Sequence, residues 1–267
     1  MRFTIISSVL NSGPSLKDTV HSVFTQTYSN FEHIIQDGCS SDGSTDFLRA
    51  MADERLRVFQ EKDSGIYDAW NKALEKAEGD WAIFLGAGDL LLTPTVLEQC
   101  AAQLANAPAH TVLAYGGMLM GPRGKAEQRV QRTLRTVYSR LSTHMSIPFT
   151  ATFVRVCELK RLGFDSSFRI AGDYDFVVRA ISHDNVLRLP FMVSFMEDGG
   201  VSSNEAYTAL FKQERRRVAE TRIIPKAEEI IRGCVAHLEE STCCGARKKI
   251  RRGERLLAAL RRQRIVE

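Results

Sequence analysis

Trp81-Ala-Ile-Phe-Leu-Gly-Ala-Gly-Asp89 decides how the rest of the chain reads. Trp81 to Leu85 is an unbroken apolar run, rich in aromatic and branched side chains. Such a run predicts a strand covered on both faces, as in a parallel sheet with helices on each side. Gly86-Ala87-Gly88 then lets the backbone turn tightly and a ligand approach closely. Asp89 falls at the carboxyl end of the strand, where open α/β sheets bind ligands. A carboxylate there can coordinate a hard cation such as Mg²⁺ or Mn²⁺. It can equally cap the helix near Thr93-Pro94 or close an Asx-turn.

The residues before this stretch alternate between strand and helix patterns. Strands are expected over Phe3–Val9, Phe31–Ile35 and Arg57–Gln60. Between them, Leu16, Val20, Val23 and Phe24 recur at helical spacing after Pro14, and further helices are expected over Phe47–Met51 and Ile66–Ala77. This order means a parallel, helix-covered sheet. Right-handed crossovers bring the carboxyl ends of its strands to one rim. Asp37, Asp63 and Asp89 end successive strands, so they are expected around a shared crevice.

Beyond Asp89, a helix is expected near Thr95–Leu104 and a strand near Val112–Tyr115, with a basic loop or hairpin from Gly116 to Gln131. Gly172-Asp173 opens a helix to about Ser182. Asp173 and Asp175 fall in its first turn, where acids also complement the helix dipole. Val186–Phe195 reads as a strand interrupted by Pro190, hence an edge. From Asn204 the pattern is helical and increasingly basic. Lys248–Arg264 carries Leu256, Leu257 and Leu260 amid many positive charges. Such a helix fits an anionic membrane surface, or docks its leucines on the protein with a solvated cationic face. The division expected is a body over 1–203, in halves of 1–115 and 116–203, followed by a basic helical extension over 204–267.

Composition narrows the class. The 267 residues are 44% hydrophobic and 25% charged, ordinary for a water-soluble globular protein with a sizeable core. No stretch approaches the ~20 apolar residues of a membrane-spanning helix. The short Phe3–Leu10 run, with polar residues inside it, reads as a first strand and not as a signal peptide. Six cysteines lie scattered without a CxxC pair, which favours reduced thiols in the cytoplasm. The net charge is only +4 and the basic tail lacks interleaved aromatic residues, so nucleic acid is not an expected partner.

Several acids around one crevice would repel an anionic substrate unless a divalent cation intervened. With Mg²⁺ or Mn²⁺ present, the same acids attract a diphosphate. A separate carboxylate later in the chain can take a proton from an attacking hydroxyl. Asp89 and Asp173 fit this division of labour, which is the logic of sugar transfer from a nucleotide diphosphate. One base without a second nucleophile implies direct displacement with inversion at the anomeric carbon.

Five ordered motifs carry a family resemblance over roughly Phe3 to Ser203. They are Ile5–Asn11, Ile35–Thr45, Asp63–Asn71, Gly79–Asp89 and Ala171–Asp175. Together they resemble family 2 glycosyltransferases with a GT-A fold, a Rossmann-like, mostly parallel α/β sheet with helices on both faces. The wording of Ser64–Lys72 and Arg169–Phe176 is similar to the bacterial exopolysaccharide and O-antigen branch. The resemblance implies that Ser8, Asn11 and Asp37 hold the base and ribose of the donor, and that Asp68 contacts the nucleotide. It implies Asp89 as the metal ligand, Asp173 as general base and Asp175 as a shaper of the acceptor side. The acceptor would be a glycan or a lipid-linked sugar, met at the inner face of the cytoplasmic membrane.

The chain departs from the family pattern in two acidic motifs. Asp37-Gly38 stands where two acids are usual, and Ala87-Gly88-Asp89 keeps only the last acid of its motif. This thinning keeps a non-catalytic sugar- or partner-binding relative in view. A nicotinamide dehydrogenase is the other alternative, because Asp37 could hold a ribose, but Val9-Leu-Asn-Ser-Gly-Pro14 is not its glycine-rich turn.

Overall fold

The computed structural model describes residues 1–122, 125–141, 145–182, 184–198, 205–226 and 258. Its frame is a nine-stranded sheet. The first four strands are β1 (Phe3–Val9), β2 (Phe31–Asp37), β3 (Leu56–Gln60) and β4 (Trp81–Phe84). They pair in parallel in the order β3-β2-β1-β4. Helices α1 (Ser15–Phe24) and α2 (Ile66–Lys76) make the crossovers β1–β2 and β3–β4.

Alternation along these strands explains why both faces are apolar. Phe3, Ile5, Trp81 and Ile83 enter one core, which includes Val96, Leu97, Cys100 and Leu104 of α3 (Val96–Ala105). Ile6 and Phe84 enter the opposite core with Tyr67, Ala73 and Leu74 of α2. Side chains of successive strand residues point to opposite faces, so a continuous apolar run requires cover on each. At about 25 cal/mol per Å², each fully buried large side chain contributes roughly 1.5–3 kcal/mol.

The second half joins the same sheet. It comprises β5 (Leu90–Leu91), β6 (Leu113–Gly121), β7 (Gln128–Val130), α4 (Leu134–Arg140), β8 (Thr152–Arg155), α5 (Val156–Leu162), α6 (Gly172–Ala180) and β9 (Val186–Glu197). The sheet continues from β4 through β8, β6 and β9 to β5, and β7 pairs with β6. Only β6 and β9 are parallel in this part; β4–β8, β6–β8, β6–β7 and β5–β9 are antiparallel. The parallel frame therefore belongs to the first half, and β6 crosses residue 115 to knit both halves into one sheet.

Three expectations are corrected. Residues 47–51 form no α-helix: Asp46–Ala50 is a 3₁₀ turn that buries only Leu48, too little apolar face for a longer helix. The strand expected over Val112–Tyr115 runs on to Gly121, so half of the anticipated basic loop is strand, and β7 completes a hairpin with it. Val186–Phe195 is not an edge strand, because β9 has β6 on one side and β5 on the other. Pro190 is accommodated where the β6–β9 register shifts, between the pairs Tyr115–Arg188 and Gly117–Met192.

Residues beyond 204 continue with α7 (Thr208–Val218) and a π-helical turn at Ala219–Ile223, packed against α6. The basic amphipathic helix expected over 248–264 lies outside the described residues, except for helical Ala258. Among the described residues, no helix is long and apolar enough to cross a membrane.

Candidate active site

The carboxyl rim of the parallel strands collects the expected acids. Asp37 closes β2 and is buried. Its Oδ1 accepts hydrogen bonds from the Ser40 amide at 2.8 Å and the Ser40 hydroxyl at 2.6 Å, and its Oδ2 accepts from Gln60 Nε2 at 2.9 Å. Asn11 meets the same loop: its amide donates to Ser40 Oγ and its Oδ1 accepts from the Ser41 amide, each at 2.9 Å. Asn11 holds φ of 50°, a left-handed conformation that asparagine tolerates better than most side chains. The loops after β1 and β2 are thereby locked together. Ser8, half-buried, accepts from Trp70 Nε1 at 3.1 Å.

Asp63 stands beside Gly38. A Cβ added at Gly38 would lie 2.5 Å from Asp63 Oδ2, so the carboxylate after β3 occupies the space that a second acid after β2 would need. This is the physical counterpart of the Asp37-Gly38 departure. Asp68, in the first turn of α2, accepts from the Ser64 amide at 2.9 Å and lies 3.4 Å from Lys72. The Ser64 amide and then the Lys72 charge hold its carboxyl below the usual range.

Asp89 sits at the tip of the central strand and is 8% exposed. Its Oδ2 accepts from the Gly86 amide at 2.9 Å. Thr19 of α1 anchors this turn, donating to the Gly86 carbonyl and accepting from the Gly88 amide. Gly88 has φ of 98° and faces the carboxylate of Glu197, with which any side chain at 88 would collide. Burial first, and the Glu197 charge in addition, push Asp89 up to about 7 against backbone amides that lower it. Glu197 was not singled out in the sequence; its signal was its place at the end of a strand before a glycine pair. The acid missing from Ala87-Gly88-Asp89 is replaced in space by one carried on β9.

Asp173 lies half-buried in the first turn of α6. Its Oδ1 accepts from the Tyr174 amide at 2.7 Å and lies 3.5 Å from the Tyr67 hydroxyl. Burial dominates and pushes its carboxyl up to about 6, with a smaller upward contribution from the Glu214 charge. The loop before it reaches the same rim, because Arg169 donates to the Ser64 carbonyl at 3.2 Å. Asn71 adds a reciprocal pair of hydrogen bonds with the Phe164 backbone. Tyr67, Trp70, Phe84, Phe149, Phe164 and Phe176 form one aromatic cluster, which fixes α2 against α6.

Asp175 points elsewhere. It is fully buried, and Arg179 and Arg222 each donate to one of its oxygens, at 2.7 and 2.8 Å. Arg179 also donates to the carbonyls of Leu162 and Gly163. Both oxygens are thus engaged in tying α6 to its neighbours.

A parallel rim of acids, a buried acid after the central strand and a second acid opening a later helix define an open α/β fold with carboxylates at the end where such sheets bind ligands. Residues 4–156 match the model of Glycosyl transferase family 2, and the chain belongs to that family. It is 30% identical over 208 residues to a PGL/p-HBAD biosynthesis glycosyltransferase of Mycobacterium bovis, covering 75% of this chain and 79% of that one. A Bacillus subtilis protein named as a teichuronic acid biosynthesis glycosyltransferase, TuaG, is 42% identical over 89 residues, or 32% of this chain and 35% of that one. The fold matches S. aureus TarS, solved in complex with UDP-GlcNAc, with a TM-score of 0.68 and 20% identity, over 84% of this chain and 67% of that one. In another TarS structure the match covers 74% of this chain but only 60% of that one. A mannosyltransferase of Pyrobaculum calidifontis, in complex with GDP-Man and Mn²⁺, matches with a TM-score of 0.57 and 17% identity, over 96% of this chain and 69% of that one. The chain is a glycosyltransferase, which sets the dehydrogenase alternative aside.

Among the described residues, no group of three or more histidine, cysteine or acidic side chains is arranged around one point. A Mg²⁺ or Mn²⁺ site does not require such a cage, since one or two carboxylates with substrate phosphates and waters suffice. Asp89 and Glu197 supply hard oxygen donors of the right charge at the rim, so the residues present fit the ion.

Proposed function

We propose that this chain moves a sugar from a nucleotide-diphosphate donor to a hydroxyl of a glycan or lipid-linked acceptor, with inversion, in the synthesis of a bacterial surface polysaccharide or glycolipid. The observation that carries this reading is Asp173. It is a carboxylate at the rim, raised to about 6, close enough to neutrality to exchange a proton and still ionised at pH 7. The relatives named for teichuronic acid and PGL/p-HBAD biosynthesis support the acceptor class.

In this reading Asp37, Asn11 and Ser8 line the nucleotide end of the crevice, and the Asp68 turn borders it. Asp89 and Glu197 would hold a divalent cation, whose role is to neutralise charge on the departing diphosphate. Asp173 Oδ accepts the proton of the acceptor hydroxyl as its oxygen bonds to the anomeric carbon. Asp175 keeps the helix carrying Asp173 in place.

The test is release of nucleoside diphosphate from a panel of UDP-, GDP- and dTDP-sugars with Mn²⁺. Turnover with at least one donor, lost in Asp173→Asn, is the expected result. Silence with every donor, together with unchanged polysaccharide in cells carrying Asp173→Asn, would leave a binding protein instead.

The basic residues of 247–267 support peripheral association with the inner leaflet, where lipid-linked acceptors sit. Deleting 247–267 is expected to release the protein from membranes at low salt; unchanged fractionation would end that part of the reading.

A further inference from the structure

Glu214 is a buried charge that the chemistry above does not use. It is 5% exposed and sits on α7 among arginines. Its Oε1 accepts from the Arg169 amide at 2.7 Å, and its Oε2 accepts from the amides of Ile170 at 2.9 Å and Ala171 at 2.8 Å. Three consecutive backbone donors converge on one carboxylate. Desolvating that charge costs several kcal/mol, which only such charge-assisted bonds offset.

The three amides belong to the residues immediately before Gly172 and Asp173. The same segment is gripped from its other side, where the Ile170 carbonyl accepts from the Tyr67 hydroxyl. Between the two grips there is no slack, because a Cβ at Gly172 would lie 2.7 Å from the Tyr67 ring. Ala171 in turn starts α6, its carbonyl accepting from the Asp175 amide. The C-terminal segment also ties the rest of α6 down. Arg222 meets Asp175, Lys226 Nζ donates to the Ile181 carbonyl, and Arg217 lies over the Phe168 ring at 4.2 Å.

We infer that Glu214 is a positioning residue for sugar transfer: by gathering the 169–171 amides it fixes where Asp173 stands against the acceptor. Helix α7 is thus a working part of the site. The inference rests on Asp173 being the base. Burial raises the Asp173 carboxyl most and the Tyr174 and Asp173 amides lower it; of the side chains facing it, the Tyr67 hydroxyl lowers it and the Glu214 charge raises it.

The experiment compares full-length Glu214→Gln, Glu214→Asp and Asp173→Asn with the unaltered chain. Its readouts are nucleoside diphosphate release across pH with the fastest donor of the panel, and a carbon-13 NMR titration of the aspartate carboxyls. The Asp173 signal is assigned by its loss in Asp173→Asn. Expected for Glu214→Gln is a native circular dichroism spectrum, kcat lowered by roughly 10²-fold with KM for the donor little changed, and an Asp173 midpoint moved below that of the unaltered chain. Glu214→Asp should recover part of kcat and restore the midpoint. A lowered melting temperature with unaltered kcat and midpoint would overturn the inference by reducing Glu214 to a structural role. If Glu214→Gln does not fold, Glu214→Asp is judged by kcat: a value between those of the unaltered chain and Asp173→Asn supports the inference, and an unaltered value overturns it. If no donor turns over, the reading of Asp173 as base fails and the inference falls with it, a result distinct from a loss specific to Glu214→Gln. Full activity in Asp173→Asn would instead overturn the assignment of the base, a result distinct from any Glu214 outcome.

Discussion

The Tyr67 hydroxyl lies 2.5 Å from the Ile170 carbonyl oxygen and 3.5 Å from Asp173 Oδ1, bonding the first turn of α2 to the segment that delivers Asp173. Tyr67→Phe removes this buried donor and leaves the carbonyl unpaired, at a cost of about 1–3 kcal/mol. A lower urea midpoint is expected. The Tyr67 hydroxyl also lowers the Asp173 carboxyl, so the acid limb of the rate profile should move to higher pH. A profile unmoved by the substitution would show that the contact is not made in the working enzyme.

Asp173 must be ionised to accept a proton, and burial raises it to about 6. The rate is therefore expected to rise with pH through about 6 and level off above it. Asp173→Asn should lower kcat by roughly 10²–10⁴-fold. Its effect on stability has the opposite sense. A carboxyl raised in the folded state favours folding when protonated, and this advantage is lost as pH climbs from the unfolded value through about 6. At pH 7.5 the asparagine variant should be more stable by roughly 1–3 kcal/mol, read as a higher urea midpoint.

Glu197 faces Gly88 beside Asp89. Glu197→Gln should raise the Mn²⁺ concentration needed for half-maximal nucleoside diphosphate release by about tenfold, with a smaller change at saturating Mn²⁺. An unchanged Mn²⁺ requirement would remove Glu197 from the cation's surroundings. Gly88→Ala should be inactive and destabilised, since it adds a methyl against that carboxylate at a backbone angle few side chains adopt.

His33 is buried in β2, 3.0 Å from Ser7 Oγ, and burial alone depresses it to about 3. The folded protein holds it neutral while the unfolded chain takes a proton below about 6.5. Stability should therefore fall as pH drops from about 6.5 toward 3, by at most about 1.4 kcal/mol per pH unit from this group. Urea unfolding across that range checks the slope, and His33→Gln should flatten it.

The first ninety residues were largely legible because their signals are local. Apolar runs, helical spacing and turn formers name the strands β1 to β4 and put Asp37, Asp63 and Asp89 at one rim. The place of Asp173 in the first turn of a helix was legible through its motif. What escaped depends on contacts between distant residues. β8 is only four residues long and β5 only two, and neither has a pattern of its own; pairing with β4, β6 and β9 makes them strands. Pro190 suggested an edge because one proline signals a missing donor, but a register shift absorbs it. Glu197 and Glu214 are ordinary acids in sequence. Their meaning comes from what folding sets against them, a glycine 109 positions earlier and three amides some 45 positions earlier. Asp175 looked like its neighbour Asp173, yet a helix turns successive residues about 100° apart, and that rotation sends it to Arg179 and Arg222.

The grip of Glu214 on residues 169–171 also bears on how the protein is made. Synthesis runs from the N-terminus, and the strands of the acidic rim emerge first. Glu214 emerges more than forty residues after Asp173. A released chain ending near residue 205 would carry its sheet strands and every acid of the rim, yet leave three amides without their partner. On the proposed function, a fragment ending there is expected to bind nucleoside diphosphate without transferring sugar, and calorimetry beside a turnover assay on the purified fragment checks both.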